Sequence, residues 1–573
     1  MALVFLPIID GREFNLSRIT RTRTIDDSQI LFAAGGQYSG VIVNKKNPNP
    51  DPVDFHVTFN FNLWLRHCTT GDLHQEIRTL RFYFNNDLPS EHRQHKAMDF
   101  LQTLMADMPP DYGTFFRKLI QLIKFDFSHI EILEVETKIA ETHEAIAMPD
   151  ANKLGMEHEI EEVTAGHVQE LLERAFPNGL TMEVIADVLR AEDLSTIENF
   201  LIDLENAGIA KRCGEEWIRV ETVIIQNPRD HVKELRPTIA IITCLFVEKL
   251  AVDGIIEDAR SVHKYKSGGD SNIYTIGRIG RHGVVATKLA MIGDSMEATI
   301  SAGSITTRLL GNFQYVEHVF ILGTGGGVPH FTSTESHVRR GDVVVSYSDE
   351  KKTYCYAHSF KRNRMDTDNA ISGVSVRNWN PKTNCLAQAI SQFTNEDVDQ
   401  WQIGYKDLVH KLSEIHSDSN FSRPDEDILA LPISGGGVVV VNHPDSRSES
   451  ILHLAPVGSI CSMRILQKST ENGDDHGNNH FDDSIGHVND TDKDLHQCML
   501  KARQDFITNN NLRALDAGFD SVIAAIEGSR IDSWAVVLGV CDYFQGNSRG
   551  AQEWKPHAAA RAASLLREAI LRL

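Results

Sequence analysis

Val57, Phe59, Phe61, Leu63 and Leu65 alternate with polar neighbours, the two-residue period of a half-buried strand. Further along, the period changes. Phe100, Leu101, Leu104, Met105, Phe115, Leu119 and Ile123 recur at helical spacing between Met98 and Ile123, broken at Pro109-Pro110. Residues 1–150 therefore read as an α+β domain, whose role the pattern leaves open. Met148 to Glu162, with Pro149 and many carboxylates, reads as a linker. Helices are predicted next over Thr164–Ala175, Thr181–Arg190 and Leu194–Asn206, the second opened by Asn178-Gly179 and the third ended by Gly208. A turn at Cys213-Gly214 and the strand-like Trp217-Ile-Arg-Val220 complete a two-stranded wing over Ile209–Val220.

From Pro237 onward strands alternate with helical stretches, the pattern of a layered α/β domain. Its organising stretch is Phe320-Ile-Leu-Gly-Thr-Gly-Gly-Gly-Val-Pro329, a run of strand formers that ends in glycines. The glycines read either as a tight turn after a core strand or as a strand end that admits something close to the backbone. Open α/β sheets hold ligands at such ends. Three other stretches share the form of an apolar run with polar or small residues at its end: Ile239–Glu248, Val284–Ser295 and Trp534–Asp542. Asp418–Pro424 is loop-like and precedes a hairpin around Ser434-Gly-Gly-Gly437. Ser469–Asp494 is rich in Asp, Asn, Gly and His and cannot form a core. Its His476, His480 and His487 share no fixed ligand spacing, so a solvated loop is the reading there rather than a metal site.

Length and charge narrow the classes. At 573 residues the chain exceeds one hydrophobic core, and ordinary domain size suggests about three or four domains. A net charge of -22 argues against unspecific nucleic-acid binding but leaves room for a local basic pocket. The eight cysteines show no Cys-x-x-Cys spacing and read as reduced thiols of a cytosolic protein. Leu3–Ile9 is too short for a signal segment, and no apolar run approaches a membrane span, so a cytoplasmic location without membrane contact is expected.

Residues 160–225 resemble a winged-helix domain of the storkhead-box type. That resemblance implies DNA binding through the third helix. Here Glu192, Asp193, Glu198, Asp203 and Glu205 occupy the helix and its approach, and carboxylates repel phosphates. A structural module, or contact with a protein partner, is expected instead.

Ile239-Ala-Ile-Ile-Thr-Cys-Leu-Phe-Val-Glu-Lys249, Gly293-Asp-Ser295, Ile321–Pro329 with Arg340-Gly-Asp-Val-Val344, and Val537-Leu-Gly-Val-Cys-Asp-Tyr543 with Trp554-Lys-Pro-His-Ala-Ala-Ala560 stand in this order. Together they resemble the nucleoside phosphorylase and nucleosidase superfamily over residues 237–573. The resemblance implies a three-layer α/β/α domain with a mixed sheet and a homo-oligomer, first of all a dimer. The substrate it implies is a purine nucleoside or nucleotide, and no cofactor or metal.

Residue by residue, the resemblance puts Glu248 where nucleosidases keep the carboxylate that activates water. Its other reading is a solvated glutamate at a helix start. Asp542 falls where the family keeps the acid that protonates purine N7, and burial at the end of an apolar strand would raise its pKa toward that task. Glu527, with Ile526 beside it, is the candidate for the ribose hydroxyls, although a shifted register would place Val522 or Ala524 there. Gly325 and Gly326 line the strand end, Ser295 can bond the acceptor, and Ile460 with Cys461 falls at the base-stacking segment. His330, Arg339, Arg340, Lys361, Arg362 and Arg364 form a basic set. It is either a solvated face or a phosphate cradle for a nucleotide such as ATP.

The acceptor loop reads Ala290-Met-Ile-Gly293 without the arginine with which phosphorylases hold phosphate, which favours water. The expected activity is N-ribosyl hydrolysis of an adenine nucleoside or nucleotide, as in ATP N-glycosidases. A purine nucleoside phosphorylase, a methylthioadenosine/S-adenosylhomocysteine nucleosidase and a non-catalytic nucleotide sensor stand as alternatives.

Overall fold

In the computed structural model the alternating residues after His56 form one strand of a sheet with nine strands among the described residues. The structure describes residues 2–11, 14–24, 26–34, 41–66, 73–106, 109, 112–140, 163–189, 191, 193–220, 236–263, 272–289, 296–360, 373–415, 419–432, 438–460, 502–543 and 552–573. The expected linker over 148–162 and the acidic insertion over 469–494 lie outside them.

The N-terminal part consists of β1 (Ala2–Asp10), β2 (Phe14–Thr22), β3 (Ile30–Ala34), β4 (Val41–Asn44), β5 (Val57–Arg66) and β6 (Leu73–Phe84), then α1 (Ser90–Ala106), α2 (Tyr112–Gln121) and β7 (Ile130–Ile139). Pro109, between the two helices, lacks the donor a continuous helix would need. Phe59, Phe61 and Leu63 bury one face of β5 against Phe100, Leu101 and Leu104 of α1, as their spacings predict.

The winged helix follows as α3 (Ala165–Ala175), β8 (Leu180–Thr181), α4 (Met182–Leu189), α5 (Leu194–Asn206), β9 (Ala210–Cys213) and β10 (Glu216–Arg219), with strand order β8-β10-β9. It is docked on the C-terminal part. Phe176 packs edge-on against Phe246 at 5.2 Å, the Arg219 guanidinium lies over the same ring at 4.6 Å, and Lys288 Nζ donates to the carbonyls of Arg174 and Phe176 at 2.9 and 3.0 Å.

The C-terminal part runs β11 (Ile239–Thr243), α6 (Phe246–Ile255), β12 (Glu257–His263), β13 (Ile273–Ile279), β14 (His282–Lys288), α7 (Met296–Asn312), β15 (His318–Gly327), β16 (Val343–Ser346), β17 (Tyr354–Phe360) and β18 (Gly373–Trp379). It continues with α8 (Cys385–Ser391), α9 (Asn395–Ile415), β19 (Leu429–Pro432), β20 (Val438–Val441), β21 (Leu452–Ala455), β22 (Val457–Ser459), a helix α10 over 502–509, β23 (Ala514–Asp516), α11 (Asp520–Glu527), β24 (Ser533–Tyr543) and α12 (Trp554–Arg572).

The sheet is mixed, and β11, β14, β15 and β24 run parallel, so their carboxyl ends share one edge. Phe320 and Leu322 face one apolar cluster with α6, α8, α9 and α12, while Val319 and Ile321 face another with α7 and α11. The alternation makes three layers. The mixed α/β parts on either side of the winged helix match the fold class read from the sequence. No helix of the described residues is long and apolar enough to cross a membrane.

One connection was not foreseen. The strands flanking Ser434–Gly437 form the expected hairpin, but β20 pairs with β5, Val440 opposite Asn62, and extends the N-terminal sheet. Val439, Val441 and Leu429 join the cluster of Phe59 and Phe61, which explains where the hairpin buries its apolar face. Phe331, just past the glycines, packs on Phe59 at 5.6 Å. The N-terminal part thereby covers one side of the carboxyl edge.

Candidate active site

Glu248 is the third residue of α6, whose first turn follows directly on β11, and it is 1% exposed. One carboxylate oxygen, Oε2, accepts the amides of Cys244 and Leu245 at 2.9 and 2.8 Å, capping the helix. The other, Oε1, accepts the amide and hydroxyl of Thr324 on β15 at 2.7 and 2.9 Å. A carboxylate has about four acceptor positions; here all are occupied. Burial raises its pKa, opposed by these hydrogen bonds.

Asp542 is fully buried one residue before the end of β24. In the parallel ladder Gly325 pairs with Val540 and Gly326 with Asp542, so Cys541 is the extra residue of a bulge. Thr324 and Gly326 share a face of β15 and lie about 7 Å apart along it. The strand that grips Glu248 thus also sets the position of Asp542. Both carboxylates are within electrostatic reach of the Cys541 thiol, whose pKa rises well above normal through burial first and these charges second.

A third carboxylate was missed in the sequence. Asp516 ends β23 and is 1% exposed. Its Oδ1 accepts from Tyr354 Oη at 2.9 Å and from the Gly518 amide at 2.7 Å, while Oδ2 has no partner among the described residues. Burial pushes its pKa to about 7 against those hydrogen bonds. The signal was present: Leu512, Ala514 and Leu515 form a short apolar run that ends on an acid, as in the other stretches.

Its titration has a direct consequence. Between about pH 4, where an unfolded aspartate ionises, and about 7, the folded chain holds a proton that the unfolded chain has released. Stability therefore falls as pH rises through this window. Asp516→Asn keeps the neutral form, so urea unfolding should show the variant gaining on wild type from pH 5 to pH 8. Parallel profiles would contradict the assignment.

Several expected site residues lie elsewhere. Glu527 stands at the end of α11 and accepts from Trp534 Nε1 at 2.7 Å, beside the first residues of β24. Eight residues of strand, about 26 Å, separate that level from Asp542, so Glu527 lies far from the carboxyl edge that holds Asp542; Ile526 is core. Ile460 packs with Val328, Phe506 and Leu515 in a small apolar cluster and presents no face for a base. At Gly325 it is the chain itself that approaches the backbone: a Cβ would lie 2.3 Å from the Leu515 carbonyl oxygen. Ser295, Cys461, Lys361, Arg362 and Arg364 fall outside the described residues.

The described members of the basic set do not form a cradle. Arg339 Nε and Nη1 bond Asp427 and Asp445, each at 2.9 Å. His330 Nδ1 accepts from the Ser333 amide at 3.0 Å, and its pKa is drawn down to about 4 by burial, so it is neutral. Arg340 lies between the rings of Tyr543 and Trp554, at 5.2 and 5.8 Å. With Lys555 and Val247 it lines a cavity of about 810 Å³ between α3, the loop at Ser419–Glu426 and the start of α12. Among the described residues no group of three or more His, Cys, Asp and Glu side chains is arranged to hold a metal ion.

A winged helix-turn-helix family model matches residues 154–221. No curated protein matches the chain. Among solved structures, the 5′-methylthioadenosine/S-adenosylhomocysteine nucleosidase of Neisseria meningitidis is 12% identical, over 58% of this chain and 99% of its own, with a TM-score of 0.30. That of Colwellia psychrerythraea is 14% identical over 59% and 97%, TM-score 0.31. Futalosine hydrolase of Helicobacter pylori is 11% identical over 59% and 99%, TM-score 0.31. The family match covers the winged-helix segment, between mixed α/β parts.

Proposed function

We propose that the C-terminal part is an N-ribosyl hydrolase that cleaves the glycosidic bond of an adenine nucleoside, in the manner of a nucleosidase. The supporting observation is the register that sets Asp542 opposite Gly326, two residues from the Thr324 that holds Glu248. In this reading Asp542 gives its proton to purine N7, the bond from the ribosyl carbon to N9 breaks with its electrons passing into the base, and water adds to the ribosyl cation. Glu248 acts first as a fixed negative charge that stabilises that cation. It takes a proton from water only where the Thr324 hydroxyl now sits, since that is the one donor of the four that can rotate away. Asp516 takes the ribose hydroxyls in place of Glu527, because its Oδ2 is the buried acceptor at this edge without a partner.

The commitments of Arg339 and His330 favour a nucleoside over ATP as substrate. A second reading, nucleotide or nucleoside binding without cleavage, draws support from the four filled acceptor positions of Glu248. One panel separates them: adenosine, methylthioadenosine, inosine, AMP and ATP, each incubated with the full chain in phosphate-free buffer while free base is followed by chromatography. Adenine from the nucleosides supports hydrolysis. Binding of a nucleoside without any base release supports the second reading and rejects the first.

A further inference from the structure

The cavity between the winged helix and the C-terminal part has two buried cations in its floor. Lys555, 3% exposed, is the second residue of α12 and lines the cavity. It has no hydrogen-bond or ion-pair partner among the described residues; only longer-range charges reach it, those of Glu170, Arg174 and Asp542 among them. Beside it Arg340, 4% exposed, presents a second buried cation. The first turn of α12 adds a third positive element, because its N-cap residue Glu553 makes no side-chain capping bond and the helix runs for 19 residues.

Of the carboxylates around the cavity Glu170 acts most strongly on Lys555, but it and Glu173 each have a cation of their own. Glu170 is paired with Arg174 at 2.5 Å, and Glu173 with Arg219 at 3.2 Å. Asp425, Glu426 and Glu553 are exposed at the rim, where water and salt weaken their field. Buried charges act through a lower dielectric and dominate inside. An unpartnered buried ammonium is costly unless something else compensates it.

We infer that this floor binds a phosphoryl group, with Lys555, Arg340 and the amides of Trp554 and Lys555 at the start of α12 as its donors. Three acceptor oxygens and a double charge suit an ammonium, a planar guanidinium and a helix N-terminus together. The volume of about 810 Å³ leaves room for more than phosphate alone, so the phosphoryl group enters either as inorganic phosphate or as part of a nucleoside monophosphate. Of the basic set expected to cradle phosphate the site uses Arg340 but neither Arg339 nor His330, and the inference does not depend on hydrolysis.

Calorimetric titration of the full chain with inorganic phosphate, AMP and adenosine tests it. Wild type should bind phosphate or AMP saturably, Lys555→Met and Lys555→Gln should each weaken that binding by about tenfold or more, and Lys555→Arg should restore most of it. Adenosine affinity should not respond to Lys555. AMP binding tighter than both phosphate and adenosine identifies a nucleotide; equal binding of phosphate and AMP identifies the free anion. The inference is overturned if neither phosphate nor AMP saturates wild type at millimolar concentration, or if both neutral variants bind as wild type does. Base release enters none of these readouts, so failure here and failure of the hydrolase reading are separately visible.

Discussion

Glu248→Gln should damage the fold and the chemistry together. The carboxylate accepts four hydrogen bonds from four donors. An amide in its place turns one acceptor oxygen into a donor that faces either the two amides of Cys244 and Leu245 or the amide and hydroxyl of Thr324. Two bonds to a buried anion are lost whichever way the amide turns. At about 1.5–3 kcal/mol for each bond to a charged group, with part recovered by rotation of Thr324, a loss of about 3 kcal/mol is expected. Urea unfolding measures it. Turnover should fall by about a thousandfold or more, because the amide can neither balance a ribosyl cation nor take a proton. A variant with native stability would show that the hydrogen bonds are not the lock described here. A variant with native turnover would remove Glu248 from the reaction.

Asp542→Asn should act on the chemistry alone. The isosteric amide keeps the shape of the residue opposite Gly326 but has no proton to transfer, and positioned general acids contribute about 10²–10⁴-fold. We expect kcat to fall within that range while KM changes little. A nucleoside already methylated at N7 carries the positive charge that protonation would supply, so it should be cleaved by the variant almost as fast as by wild type. Equal losses on both substrates would mean that Asp542 is not the acid.

The parts of this site that were legible in the sequence are those whose signal is local. Asp542 stands near the end of the apolar run that forms β24, whereas Glu248 stands in the first turn of α6 just past β11, where position alone also suits a solvated helix-start glutamate and the family resemblance singled it out. The winged helix was legible for a similar reason, through three apolar periodicities with Gly208 and Gly214 as stops.

What failed is what depends on distant partners. Arg339 looks like a free cation beside a glycine turn, yet its carboxylates Asp427 and Asp445 lie 88 and 106 positions away. Glu527 was chosen by type and neighbourhood, but a helix register cannot say which end of the following strand its last residue meets; Trp534 answers that. The strand character of Val438–Val441 was visible, while its pairing with Asn62 and Leu63 was not, because alternation tells which face is buried and not against what.

The most direct test is cleavage of methylthioadenosine and of adenosine by the full chain in phosphate-buffered ¹⁸O-water, with the sugar product examined by mass spectrometry. The account predicts free adenine together with a sugar that carries one ¹⁸O at the former glycosidic carbon, and loss of both products in Asp542→Asn. Unlabelled ribosyl phosphate, or no free adenine from either nucleoside, would contradict it.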